Sequence, residues 1–269
     1  MAQRIITAAA GLLIMAGLLL FYQTPVISLM IIIVTCSSVY EFLTANRYDN
    51  NKPLFFISLL FSVVVPFLHT LSLILIAIYA YVFLLFVLLI IYHKDLMAQD
   101  VAFAFLMTVF ITCSLTLVIF LRNIYPSDFI LYFLLSVGGG WLGDSGAYFI
   151  GVTFGRNKLC PDISPKKTVE GAIGGFIGTA VGYLIVALIY VSFFRPAAID
   201  FPVLIVIGLV LTPIGMIGDL TASVFKRQRN IKDYGSILPG HGGMLDRFDS
   251  VIFVMPAAYL LFSMFPVIH

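Results

Sequence analysis

Leu71-Ser-Leu-Ile-Leu-Ile-Ala-Ile-Tyr-Ala-Tyr-Val-Phe-Leu-Leu-Phe-Val-Leu-Leu-Ile-Ile-Tyr92 carries no charge and is apolar almost all the way round a helix. An α-helix rising about 1.5 Å per residue needs about 20 such residues to cross hydrocarbon. The strands of a membrane barrel would instead alternate apolar and polar residues in segments of about 10. The stretch therefore reads as a membrane-spanning helix.

Working outward from it, similar blocks predict nine spans, at about 4–22, 25–43, 53–68, 71–92, 100–121, 129–151, 170–194, 201–224 and 250–267. Pro66, His69 and Thr70 divide the third from the fourth, while Pro213 and Gly215 offer a break within the eighth. The first block follows Arg4, but its apolar run is longer than a typical signal-peptide core, and another span follows almost at once, so it reads as an anchor. Of the 269 residues, 61% are hydrophobic and 10% charged, against about 45–50% and 25% in a soluble domain. A water-soluble globule is excluded. The predicted fold class is all-α, a polytopic integral membrane bundle, with N-terminal spans over 1–125 and a catalytic C-terminal half over 126–269.

Charge placement orients the bundle. With nine spans, thirteen of the fifteen basic residues fall on the N-terminal side of the membrane, and only Arg122 and Arg195 on the other. Lys and Arg flanking spans tend to stay cytoplasmic, so the N-terminus is expected inside and the C-terminus outside. Cys36, Cys113 and Cys160 are scattered, without metal-type spacing. A net charge of +2 gives no reason to expect nucleic acid as a partner.

Residues 156–170 and 226–249 hold six and eight charged residues, half of the chain's 28 (15 basic and 13 acidic). Both segments are expected on the cytoplasmic side. Acids inside spans are costly in lipid, about 2.5–3.5 kcal/mol, and usually face a cavity or partner. Asp144 lies in the sixth predicted span and Asp219 in the eighth, and Asp249 opens the ninth. Asp219, Ser223 and Lys226 are spaced i, i+4, i+7, and Asp246 and Asp249 i, i+3, so each set shares a helix face. Carboxylates on two helices outline a site for a hard divalent cation, which takes oxygen ligands and often substrate phosphates. Lys226, Arg227, Arg229, Lys232, His241 and Arg247 beside them suit a phosphorylated substrate.

Leu238-Pro-Gly-His-Gly-Gly243 is a rigid turn in which Gly240, Gly242 and Gly243 permit dihedrals closed to other residues, so its amides could cradle an anion. Ser164-Pro-Lys-Lys-Thr168 precedes a helix expected to start near Thr168 or Val169, which places Lys166 and Lys167 where a helix N-terminus reinforces phosphate binding. Anionic lipid headgroups are the rival ligand for those lysines. Gly174, Gly178 and Gly182 form a small-residue stripe for close packing against a helix of the same chain or of a second protomer, a homodimer being the latter arrangement.

Residues 223–249 read S-V-F-K-R-Q-R-N-I-K-D-Y-G-S-I-L-P-G-H-G-G-M-L-D-R-F-D. This run resembles the signature of the phosphatidate cytidylyltransferases, or CDP-diacylglycerol synthases, at more than ten polar or glycine positions. Family-like sequence also occurs at 141–148 and 164–175. The resemblance implies an enzyme of the inner (plasma) membrane, its site on the cytoplasmic side, that takes CTP and phosphatidic acid to CDP-diacylglycerol and pyrophosphate with Mg²⁺. On that basis Asp219, Asp246 and Asp249 are the expected metal ligands, with Asp144 as a further or supporting carboxylate; several acids leave room for a second cation. Lys226, Arg227, Lys232, His241 and Arg247 are expected at the phosphates. Ser223, Lys166, Lys167 and the glycines at 240, 242 and 243 are expected to help bind substrate. The alternatives are a CTP-dependent lipid (polyprenol) kinase and, from another class, a cation-coupled transporter, whose acids should lie near the bilayer midplane.

Overall fold

The computed structural model describes residues 11, 17, 19–240 and 242–268. The first predicted span lies largely outside these residues, and His241 is also outside them. From residue 26 onward the elements are α1 (Val26–Ala45), α2 (Lys52–Val64), α3 (Leu71–Ile91), α4 (Ala98–Ile124), α5 (Phe129–Phe154), a hairpin of β1 (Lys158–Cys160) and β2 (Ser164–Thr168), α6 (Val169–Phe193), α7 (Phe201–Gln228) and α8 (Leu245–Met264). The chain is helical as expected, and the hairpin is an addition that hydropathy did not announce.

Six of these helices, α1, α3, α4, α6, α7 and α8, are long and apolar enough to cross a membrane. The predicted third span is a shorter apolar helix over Lys52–Phe67. The predicted sixth, α5, is 26 residues long, but Gly138, Gly139, Gly140, Gly143 and Asp144 dilute its hydropathy. Along α3 large side chains such as Leu75, Ile76, Tyr79, Phe83 and Ile90 are exposed, an arrangement that only a lipid solvent stabilises. The protein is an integral membrane protein. The boundary between α2 and α3 falls where Pro66 interrupts the helical pattern and Thr70 caps α3, its hydroxyl accepting from the Leu73 amide at 3.4 Å. The eighth predicted span is unbroken, with Pro213 inside α7.

Two compact units form, Met1–Phe120 with Ile231–Arg247, and Leu121–Asn230 with Phe248–His269. In the first, aromatic rings tie the helices. Phe42 of α1 meets Phe103 of α4 edge to face at 5.3 Å. Phe61 of α2 stacks on Tyr81 of α3 at 4.6 Å, and the Tyr81 hydroxyl shares a 2.7 Å hydrogen bond with Ser58.

In the second unit, α5 and α6 pack through glycine. A Cβ on Gly178 would stand 2.7 Å from the Gly146 Cα, and one on Gly146 would stand 2.8 Å from the Gly178 Cα. Only backbones without side chains approach this closely. The stripe at 174, 178 and 182 is thus used inside the chain, against α5, and is not free for a second protomer.

The hairpin, with Lys158 paired to Thr168 and Cys160 to Ser164, leads directly into α6. The Thr168 hydroxyl accepts from the Gly171 amide at 3.0 Å, and Glu170 accepts from the Arg156 and Asn157 amides at 3.1 and 3.2 Å. The helix start expected near Thr168 is where the structure has it. Thr168→Val, which keeps volume and removes the cap, is expected to lower stability by about 1 kcal/mol in detergent thermal melts.

Candidate active site

Within the second unit, α5, α7, α8 and β2 bring charged groups together. Asp219 of α7 pairs with Lys167 of β2, both about a quarter exposed. One turn beyond Ser223 on α7, Lys226 is buried, and its Nζ lies 3.6 Å from Oδ2 of Asp249 on α8. The expected spacing of Asp219, Ser223 and Lys226 holds because α7 stays helical through Gln228.

Asp144 of α5 accepts from the Ser250 hydroxyl at 3.1 Å, while the Ser250 amide donates to Asp249 at 2.8 Å. Ser250 thus joins two carboxylates from different helices. Its approach depends on Gly140, where a Cβ would stand 2.8 Å from the Ser250 Oγ. Asp144, Asp219 and Asp249 are close enough to interact electrostatically, and Lys167 acts on Asp144 as well as Asp219. The result is three carboxylates balanced by two lysines, an oxygen-rich cluster with cationic edges.

Among the described residues, no three His, Cys, Asp or Glu side chains converge tightly enough to hold a metal by themselves. A Mg²⁺ ion does not need three, since it is usually held by one or two carboxylates with substrate phosphates and water. The hard oxygen donors of Asp219 and Asp249 fit such an ion.

In the first unit the segment 234–246 folds back on itself. Asp246 Oδ2 accepts from the Tyr234 amide at 2.8 Å and the Gly243 amide at 3.0 Å, and the Leu238 amide donates to the Gly242 carbonyl at 3.0 Å. Gly240 and Gly242 have φ of 77° and 84°, as the predicted turn requires. Gly243 is different. It is not in the left-handed region, and a Cβ there would run into the carboxylate of Glu41. Asp246, expected as a metal ligand, has one oxygen committed to loop amides.

The other predicted residues are spread along these elements. Arg227 is exposed at the end of α7, and Lys232 and Arg247 are exposed at either end of the loop. Lys166 is exposed on β2 next to Lys167, so both precede the α6 N-terminus as strand residues. Sequence reasoning missed Glu41 and Ser250. Glu41 is a lone acid in the apolar α1, the same signal that drew attention to Asp144, and it is 2% exposed. Ser250 follows Asp249 directly but carries no charge to mark it.

The sequence profile described as the cytidylyltransferase family matches residues 2–265. A protein of Bacillus subtilis (strain 168) named phosphatidate cytidylyltransferase is 41% identical over 172 residues, 62% of this chain and 60% of that protein. Proteins with the same name from Staphylococcus saprophyticus and Staphylococcus haemolyticus are each 47% identical over 133 residues, 49% of this chain and 48% of theirs. The matched region thus spans about half to three fifths of the length of these curated relatives.

Proposed function

The chain belongs to the cytidylyltransferase family, and from that premise we propose that it transfers CMP from CTP to phosphatidic acid, releasing pyrophosphate and forming CDP-diacylglycerol. The observation that carries this reading is the cluster of Asp144, Asp219 and Asp249 with Lys167 and Lys226, which joins hard oxygen donors to cations suited to phosphate. The name shared by the relatives supports phosphatidic acid as the acceptor.

Asp219 and Asp249 would hold Mg²⁺, with Asp144 beside them; for Asp246 the family signature alone supports a ligand role. When bound, the ion supplies charge neutralisation on the phosphates. Lys226 and Lys167 hold their positions through carboxylate partners and are ready to receive phosphate oxygens. Arg227 and Lys166 extend the positive surface toward the triphosphate and the lipid phosphate, and Ser223 lies between Asp219 and Lys226 on the same face; for Lys232, His241 and Arg247 the family signature alone supports phosphate contacts. Phosphatidic acid is already anionic near neutral pH, so its phosphate oxygen attacks the α-phosphorus of CTP without a strong general base. Alignment and charge neutralisation account for the rate.

Nine spans, a cytoplasmic N-terminus, an external C-terminus and a site at the cytoplasmic surface of the plasma membrane complete the proposal. The asymmetry of basic residues supports this orientation. It lets CTP arrive from the cytosol while the acyl chains stay in the bilayer.

The deciding assay combines purified protein, Mg²⁺, CTP labelled in its cytosine and phosphatidic acid. A CMP-bearing lipid with equimolar pyrophosphate is expected. Release of labelled CDP with a phosphorylated lipid alcohol as acceptor would identify a kinase, and absence of both products would overturn the enzymatic reading.

A further inference from the structure

Glu41 has no part in the proposed chemistry, although its carboxylate lies against Gly243 and interacts with Asp246. It lies near the C-terminal end of α1, 2% exposed, with its Oε2 accepting from the Leu245 amide at 2.9 Å across 204 residues of sequence. Among the described residues its Oε1 lacks a hydrogen bond of good geometry, while the Met244 and Ile237 backbone amides also act on the carboxylate. The carboxylate is pressed between two glycines. A Cβ on Gly235 would fall 2.6 Å from its Cδ and 2.8 Å from its Cγ, and a Cβ on Gly243 would fall 2.7 Å from its Cδ.

Neither glycine is in the left-handed region, so backbone conformation does not require glycine at either place. The neighbour that requires it is Glu41. Burying a carboxylate that loop amides satisfy only in part is costly, and such a group persists where it fixes something else. What it fixes here is the loop. Gly235 and Gly243 flank the turn at Pro239 and Gly240, and Leu245 opens α8 immediately before Asp246, whose own carboxylate closes the loop from the other side.

We infer that Glu41 is a positioning residue, a buried post on α1 around which segment 235–245 is wrapped, and that Gly235 and Gly243 are glycine to admit its carboxylate. The role given to the loop rests on the cytidylyltransferase reading above; the wrapping itself does not.

Two measurements test it. Hydrogen exchange in detergent reads the loop directly. Glu41→Ala should speed exchange across 234–246 by roughly ten- to a hundredfold, as expected for losing a hydrogen bond to a charged acceptor, with the α2–α3 segment unchanged. Unchanged exchange in the loop overturns the inference, and so does faster exchange throughout the unit.

Turnover gives the second reading through a mutant cycle. Glu41→Ala and Gly235→Ala should each lower kcat by roughly tenfold or more, while the double variant should be no worse than the poorer single, because the collision is gone. Multiplying losses would mean that the two residues act independently. Glu41→Gln keeps an acceptor for Leu245 and should retain most turnover; a Gln variant as inactive as Ala would show that the charge, and not the fit, matters. If the unaltered protein makes no CMP-lipid, the functional reading fails while the exchange experiment still decides the role of Glu41.

Discussion

Asp219→Asn is expected to reduce formation of CMP-lipid by on the order of a thousandfold, in keeping with the loss of a group that stabilises developing charge at the reacting phosphates. Asparagine has the same size, so packing on α7 is retained. It lacks the charge that binds Lys167 and that would hold a divalent ion. The cost to folding should be small, because both partners are about a quarter exposed and screened pairs of this kind contribute about 0–1 kcal/mol. The matched control is Asp128→Asn, which breaks the pair with Arg195 at 3.1 Å in the same unit. That pair uses residues with no place in the proposed chemistry. Asp128→Asn should therefore leave turnover near that of the unaltered protein. Turnover retained in Asp219→Asn, measured with saturating Mg²⁺ and CTP, would remove Asp219 from the ligand set.

Gly178→Ala is expected to lower stability by about 1–3 kcal/mol, and Gly178→Leu to abolish recovery of folded protein. The reason is what the new atom meets. At 178 it faces the Gly146 Cα at 2.7 Å and the Leu142 carbonyl at 3.0 Å, both backbone, so α5 and α6 must separate along their length. At 182 it faces the side chain of Leu142 at 2.7 Å, which can turn aside, so Gly182→Ala should be milder. Gly17 has nothing within 4 Å of such a Cβ among the described residues, so Gly17→Ala should not destabilise the fold. Thermal denaturation of the three alanine variants in one detergent gives the ranking, and the yield of folded protein reads Gly178→Leu. Equal losses at 178 and 182 would contradict the backbone-contact account.

Hydropathy found the helices because lipid imposes one requirement on every exposed residue, and α3 shows it most plainly. The same measure finds the sixth span as well, although in α5 the glycines needed for contact with α6 and the acid Asp144 leave it short of the six most apolar helices. Hydropathy gives no sign of the β1–β2 hairpin, whose five-residue strand Ser164–Thr168 contains two lysines and a proline. At the site, charge within an apolar helix marked Asp144, Asp219 and Asp249, and helical spacing placed Ser223 and Lys226 with them. Pairing was not legible. That Lys167 holds Asp219 and Lys226 holds Asp249 depends on how separate helices and a strand meet. Glu41 carried the same signal as the other acids, but its partners are backbone amides some 200 residues away, which no local pattern announces.

The Glu41–Leu245 contact also has a consequence for how the protein is made. A ribosome adding about 5–20 residues per second needs roughly ten to forty seconds to synthesise the chain between these two residues. For that interval α1 is available for insertion, but its carboxylate has none of the loop amides around it. The first unit is completed only when residues 231–247 join it. Premature termination before this segment would thus strand an acid on an apolar helix, giving cellular quality control a ready mark of an unfinished chain.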